Sequence, residues 1–115
     1  MNKNQIKLIT LVGTRPEIIR LSRIIVELDK FFDHTFIHTG QNFDFELNEL
    51  FFKDLDLRQP DVYLECGGGN AAETIAEVIK KSDNVYSKLD PDALLILGDT
   101  NSSLAAIPAK RRKIP

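Results

Sequence analysis

The run Ala93-Leu-Leu-Ile-Leu-Gly98, set between Pro91 and the polar stretch Asp99-Thr-Asn-Ser-Ser103, constrains this chain most. An apolar run that short predicts a strand, over Asp92–Gly98, buried on both faces. Strands of that kind belong to parallel sheets covered by helices. The residues from Ser102 to Arg112 read as a helix. Asp99 therefore stands where a parallel strand ends and a helix begins, which is where open α/β sheets bind ligands. A carboxylate held there can serve as acid, base or hydroxyl ligand. Equally, Asp99, Thr100 or Asn101 can cap the helix that follows.

The rest of the chain alternates in the same way. Ile6–Val12 is rich in β-branched residues and predicts a first strand. Ile18, Leu21, Ile25, Leu28 and Phe32 then recur at helical spacing. Thr35–Thr39 is a short second strand with Gly40 at its end, and Asn42 or Asp44 can cap a helix over Phe45–Asp54. Leu47, Leu50, Phe51 and Leu55 form the stripe of that helix, and Pro60 stops it. Asp61–Glu65 is a weaker third strand. Beyond Gly67-Gly-Gly69, Asn70 and Glu73 open a third helix with Ile75, Val78, Ile79 and Tyr86 inward. Ile114-Pro115 reads as the start of a fifth strand. The order βαβαβαβα implies an α/β fold, a mostly parallel sheet with right-handed crossovers. Such domains usually carry five or more strands, so the chain reads as part of one.

Composition narrows the function classes. The net charge of −2 draws the chain neither to nucleic acid nor to acidic membranes. No apolar run approaches the roughly 18 residues of a membrane span. One cysteine, Cys66, leaves no internal disulfide, and the N-terminus lacks a signal-like apolar segment, so a cytoplasmic setting is expected.

Gly13-Thr-Arg-Pro-Glu17 carries the strongest local signal. Thr14 and Glu17 have the capping-box spacing, and Pro16 falls in the first helical turn. Backbone amides at a helix start favour an anion, and the Arg15 guanidinium suits phosphate or carboxylate. The alternative is a capped helix with a solvated arginine. Arg20 is more than a turn further on and need not share the face of Arg15. Thr39-Gly-Gln41-Asn42 offers amides and a hydroxyl to a sugar, or simply makes a turn. His38, near a strand end, and His34, ahead of that strand, read as packed histidines. Two histidines and a cysteine without ligand spacing argue against a metal site. The triple glycine lacks a following Lys-Ser/Thr and reads as a flexible loop. Lys110-Arg-Arg-Lys113 complements a helix dipole at its C-terminal end.

Three stretches, taken in order, resemble the non-hydrolysing UDP-N-acetylglucosamine 2-epimerases: Gly13-Thr-Arg-Pro-Glu17, Thr39-Gly-Gln41 and Gly98-Asp-Thr100. The longer forms Gly13–Ser22, His38–Asn42 and Gly98–Asn101 look like the branch that makes UDP-N-acetyl-L-fucosamine for capsule and O-antigen. The resemblance implies the incomplete N-terminal domain of a GT-B type fold, two Rossmann-like three-layer halves facing across a cleft. It also implies inversion at C2 of a UDP-N-acetylhexosamine by elimination and re-addition of UDP, with no metal and no nicotinamide. Asp99 matches the catalytic aspartate of that family and Arg15 its active-site arginine. Gly13, Thr14, Glu17, Arg20, Gln41, Thr100 and Asn101 fall among the substrate-binding positions, and a homodimer is expected of a full-length member.

The chain departs from the better-known members in three respects. Arg20 replaces a lysine, keeping the charge but losing the capacity for proton transfer. Asn42 replaces a histidine of an activator pocket. The family chain also continues through a fifth strand, further glutamates and a second domain, so the 115 residues alone are not expected to catalyse. The competing expectations are a stand-alone anion- or nucleotide-binding α/β module and a non-catalytic remnant.

Overall fold

The computed structural model of the chain describes residues 5–40, 45–98 and 100–115, with the backbone alone for residues 45–47. Strand β1 (Lys7–Val12) passes through Gly13 and Thr14 into helix α1 (Arg15–Phe31). The helix start is dictated locally: the Thr14 hydroxyl accepts from the Glu17 amide, and the Glu17 carboxylate accepts from the Thr14 amide. Ile18, Leu21 and Ile25 are buried on its inner face, whereas Phe32 is the C-cap and not a last packing residue.

Strand β2 (Asp33–His38) starts earlier than expected, so His34 lies within it and Thr39 beyond it. The Asp33 amide donates to the Ile6 carbonyl and extends the ladder backwards. Helix α2 (Phe45–Asp54) has the expected bounds, but its packing differs. Leu50 is 54% exposed and Phe52 only 2%, because Phe52 meets Phe36 edge-on at 6.2 Å. Asn42 and Asp44 lie outside the described residues. A left-handed turn at Asp56 follows the helix before Pro60 is reached. Strand β3 shrinks to Val62–Tyr63, since Glu65 leaves the extended region at φ 58°.

Helix α3 (Ala71–Leu89) begins as expected, with the Asn70 side chain accepting from the Glu73 amide at 2.8 Å. Strand β4 (Ala93–Ile96) is shorter than the expected Asp92–Gly98. The single helix expected over 102–112 is two pieces, a 3₁₀ helix (Asn101–Ala105) and helix α4 (Ala106–Arg111). The Ser103 amide bonds to the Thr100 carbonyl three residues back, the tighter 3₁₀ pairing.

The sheet order is β3-β2-β1-β4, with every pairing parallel, and β1 beside β4 as expected. Side chains alternate across it with the period of a strand. Ile9, Leu11 and Ile37 pack against Val78, Tyr86, Ala105 and Ala109 on one face. Val12 and Phe36 pack against Ile18, Leu21, Ile25 and Phe52 on the other. The result is a three-layer α/β arrangement. The greasiest strand is not the most buried: all four residues of β4 are half-buried. Among the described residues it pairs along its length with β1 alone, and on its other side the Leu94 amide donates to the Pro115 carbonyl at 2.8 Å. No described helix is long and apolar enough to cross a membrane.

Candidate functional site at the strand ends

The loops after β1 and β4 meet at Glu17. Its Oε2 accepts from the Gly13 amide (2.8 Å), the Thr14 amide (2.8 Å) and the Thr14 hydroxyl (3.1 Å). Its Oε1 accepts from the Thr100 hydroxyl at 2.8 Å. The anion at the start of α1 is thus the chain's own carboxylate, and two of the amides expected to meet an external anion are already engaged. Thr100 is the N-cap of the 3₁₀ helix by backbone, yet its side chain makes no capping bond there.

Close packing dictates Gly13. A Cβ at that position would lie 1.7 Å from Ser102 Oγ and 2.7 Å from Thr39 Oγ1. Those two hydroxyls are 3.2 Å apart and buried. Gly98 is required for a different reason: its φ of 111° is closed to most side chains.

A cleft of about 560 Å³ opens where the two loops meet, lined by Thr14, Pro16, Glu17, Arg20, Leu97, Gly98 and Thr100. Arg20 is exposed there, while the Arg15 guanidinium lies 5.0 Å from the Phe51 ring centroid, stacked on α2. Thr39, Gly40, Asn101 and Ser102 line a smaller adjoining crevice of about 240 Å³, together with Gly13, Thr14 and Cys66. Of the expected site residues, Gly13, Thr14, Glu17, Arg20, Thr100 and Asn101 are brought together at the ends of β1 and β4. Asp99 and Gln41 lie outside the described residues.

His38 sits at the end of β2. The Gly40 amide donates to its Nδ1 at 2.8 Å, which puts the proton of the neutral ring on Nε2. Burial pushes its pKa down, and the negative charge of Glu17 partly opposes this. Its ring lies 5.2 Å from that of Tyr63. The Tyr63 hydroxyl is buried with no partner among the described residues, and burial raises its pKa. Burial likewise pushes the Cys66 thiol up, away from the reactive thiolate.

His34 is structural. Its ring bridges Thr10 Oγ1 and Asp29 Oδ1, each at 2.7 Å, with the side chain 1% exposed. Burial raises the Asp29 pKa, but hydrogen bonds from Arg58 and His34 outweigh it and hold the carboxyl low. Within the basic run, Arg112 pairs with Asp83 at 2.6 Å.

Sequence reasoning missed Ser102 and Cys66 as neighbours of the site. Only the glycine at position 13 hinted at Ser102, because a missing side chain marks a place where other atoms must approach.

The arrangement is a cleft at strand ends in which apolar surface from Pro16 and Leu97 alternates with hydroxyl groups and one exposed guanidinium. It suits an anionic, hydroxyl-rich ligand. A solved UDP-N-acetylglucosamine 2-epimerase from Rickettsia bellii matches 97% of this chain at 53% identity and a TM-score of 0.90. The Methanocaldococcus jannaschii UDP-GlcNAc 2-epimerase, solved in complex with UDP-GlcNAc and UDP, matches 94% at 37% identity and a TM-score of 0.83. The UDP-2,3-diacetamido-2,3-dideoxy-D-glucuronate 2-epimerase of Pseudomonas aeruginosa is 34% identical over 113 residues, 95% of this chain. The chain spans about 30% of the two solved relatives and 32% of the third. Residues 25–115 match the sequence model of the family described as UDP-N-acetylglucosamine 2-epimerase, and the chain belongs to that family.

Proposed function

We propose that these 115 residues are the N-terminal part of a UDP-N-acetylhexosamine 2-epimerase of the GT-B type and form one wall of its active site. The observation that carries this reading is the cleft in which Thr14, Pro16 and Glu17 meet Leu97, Gly98 and Thr100 beside Arg20. In the reaction a proton leaves C2, the C1–O bond to UDP breaks and a C1=C2 double bond forms. UDP oxygen then returns to C1 while a proton is added to C2 from the opposite face. Asp99 serves as the acid–base group at C2, and Arg15 and Arg20 supply positive charge to the departing diphosphate. Gln41 and Asn101 hold the substrate. The rest of the protein supplies the facing domain, and the working unit is a homodimer in the cytoplasm.

Deuterium labelling tests this. The protein expressed from its whole reading frame, incubated with UDP-N-acetylglucosamine in D₂O, should give the C2 epimer with deuterium at C2. Asp99→Asn should lower kcat by about 10²–10⁴-fold, the range for a lost acid–base group, while the fold is kept. Epimer formation without exchange at C2, or wild-type turnover in Asp99→Asn, overturns the assigned chemistry.

We further assign the product to bacterial surface polysaccharide assembly, on the fucosamine-forming branch, from the extended motifs Gly13–Ser22, His38–Asn42 and Gly98–Asn101. A preference for the UDP-sugar that leads to N-acetyl-L-fucosamine over UDP-N-acetylglucosamine in competition supports that branch. The reverse preference rejects it.

A further inference from the structure

Glu17 holds more of the site together than a helix cap requires. Its residue is 5% exposed, and its carboxylate takes four hydrogen bonds from Gly13, Thr14 and Thr100. A carboxylate offers about four acceptor positions in all, so this one has little left for a ligand. The bond from the Thr100 hydroxyl crosses 83 positions of sequence. It exists because Thr100 does not use its side chain to cap its own helix. Ahead of it, Gly98 makes a turn at φ 111° in which a Cβ would stand 3.9 Å from Glu17 Oε1. The two chain neighbours of Asp99 are therefore both constrained, one by its backbone conformation and the other by Glu17.

We propose that Glu17 is a positioning residue: through the Thr100 hydroxyl it sets Gly98 and Thr100 against the start of α1, without touching substrate. The meaning of that position for catalysis rests on the epimerase reading; the tie between the loops does not.

Two measurements separate these. In ¹⁵N relaxation on the protein expressed from its whole reading frame, T100V should lower the backbone order parameters of Gly98, Thr100 and Asn101 from about 0.85 to 0.6 or below. T100S, which keeps the hydroxyl, should hold them near the starting value. Unchanged order parameters in T100V overturn the proposal whatever the activity. In the protein expressed from the whole reading frame, T100V should lower kcat by about 10²-fold, the cost of misplacing a reacting group by about an ångström. KM for the UDP-sugar should change less than about threefold, and T100S should recover most of the lost kcat. A raised KM with kcat unchanged makes the pair part of the binding surface and overturns the positioning role. A wild-type protein that epimerises nothing sinks the epimerase reading instead, while the relaxation data still decide the tie.

Discussion

The loops after β1 and β4 begin their helices in opposite ways. At α1, Thr14 is extended, caps its own helix and is answered by Glu17 three residues on. At the 3₁₀ helix, Thr100 has nearly the same extended backbone, yet its hydroxyl turns away to the carboxylate of that same Glu17. The first start is a contest among neighbours, which local chemistry settles. The second is settled by a partner 83 positions away. A threonine before a helix is thus a cap only when nothing better is within reach, and a buried carboxylate with a free oxygen is better.

Substitutions can break this comparison at several strengths. The largest effect on stability should come from Gly13→Ala, which forces a Cβ against Ser102 Oγ and Thr39 Oγ1. About 2–3 kcal/mol should be lost in urea unfolding, as for other overpacked sites. Adding Ser102→Ala should return part of that loss, since the Ser102 hydroxyl is the nearest atom. No recovery would mean that the two loops do not meet as described.

Thr14→Ala should cost about 1 kcal/mol, the usual value of an N-cap. Its amide exchange should rise across the first turn of α1. Thr100→Ala should leave the Ser103 amide protected, because that amide bonds to the Thr100 carbonyl and not to its side chain. Equal deprotection at both helix starts would erase the distinction between them.

The smallest effect concerns pH. Burial lowers the folded pKa of His38, so the neutral ring is preferred in the folded chain. An unfolded histidine titrates near 6.5, and below that value the unfolded chain binds the proton more readily. This contribution is present in full above the unfolded value and is lost as pH falls through about 6.5 towards the folded pKa. His38→Gln should flatten the melting temperature over that window; an unaltered slope would remove His38 as the cause.

Much of the architecture was legible because it rests on short-range rules. The capping box of α1, the Asn70 cap of α3, the bounds of α2 and the neighbouring of β1 and β4 all follow from spacing and alternation. Packing was less legible where two apolar residues compete for one face. Leu50 fits the helical stripe of α2, but the Phe36 ring draws in Phe52 instead. His34 reads as preceding a strand because nothing local reveals that Thr10 and Asp29 await its two nitrogens.

The sequence by itself determined the element order, the parallel sheet, the starts of α1 and α3 and the residue types gathered at the strand ends. These arise from contacts within a turn or a strand, where periodicity, capping and backbone preference act with no knowledge of the rest of the chain. Only the tertiary structure decided that the greasiest strand is half-buried, that Arg15 lies on Phe51 while Arg20 faces the cleft, and that Glu17 joins two distant loops. Burial and long-range hydrogen bonds depend on which elements become neighbours, and one-dimensional spacing does not encode that.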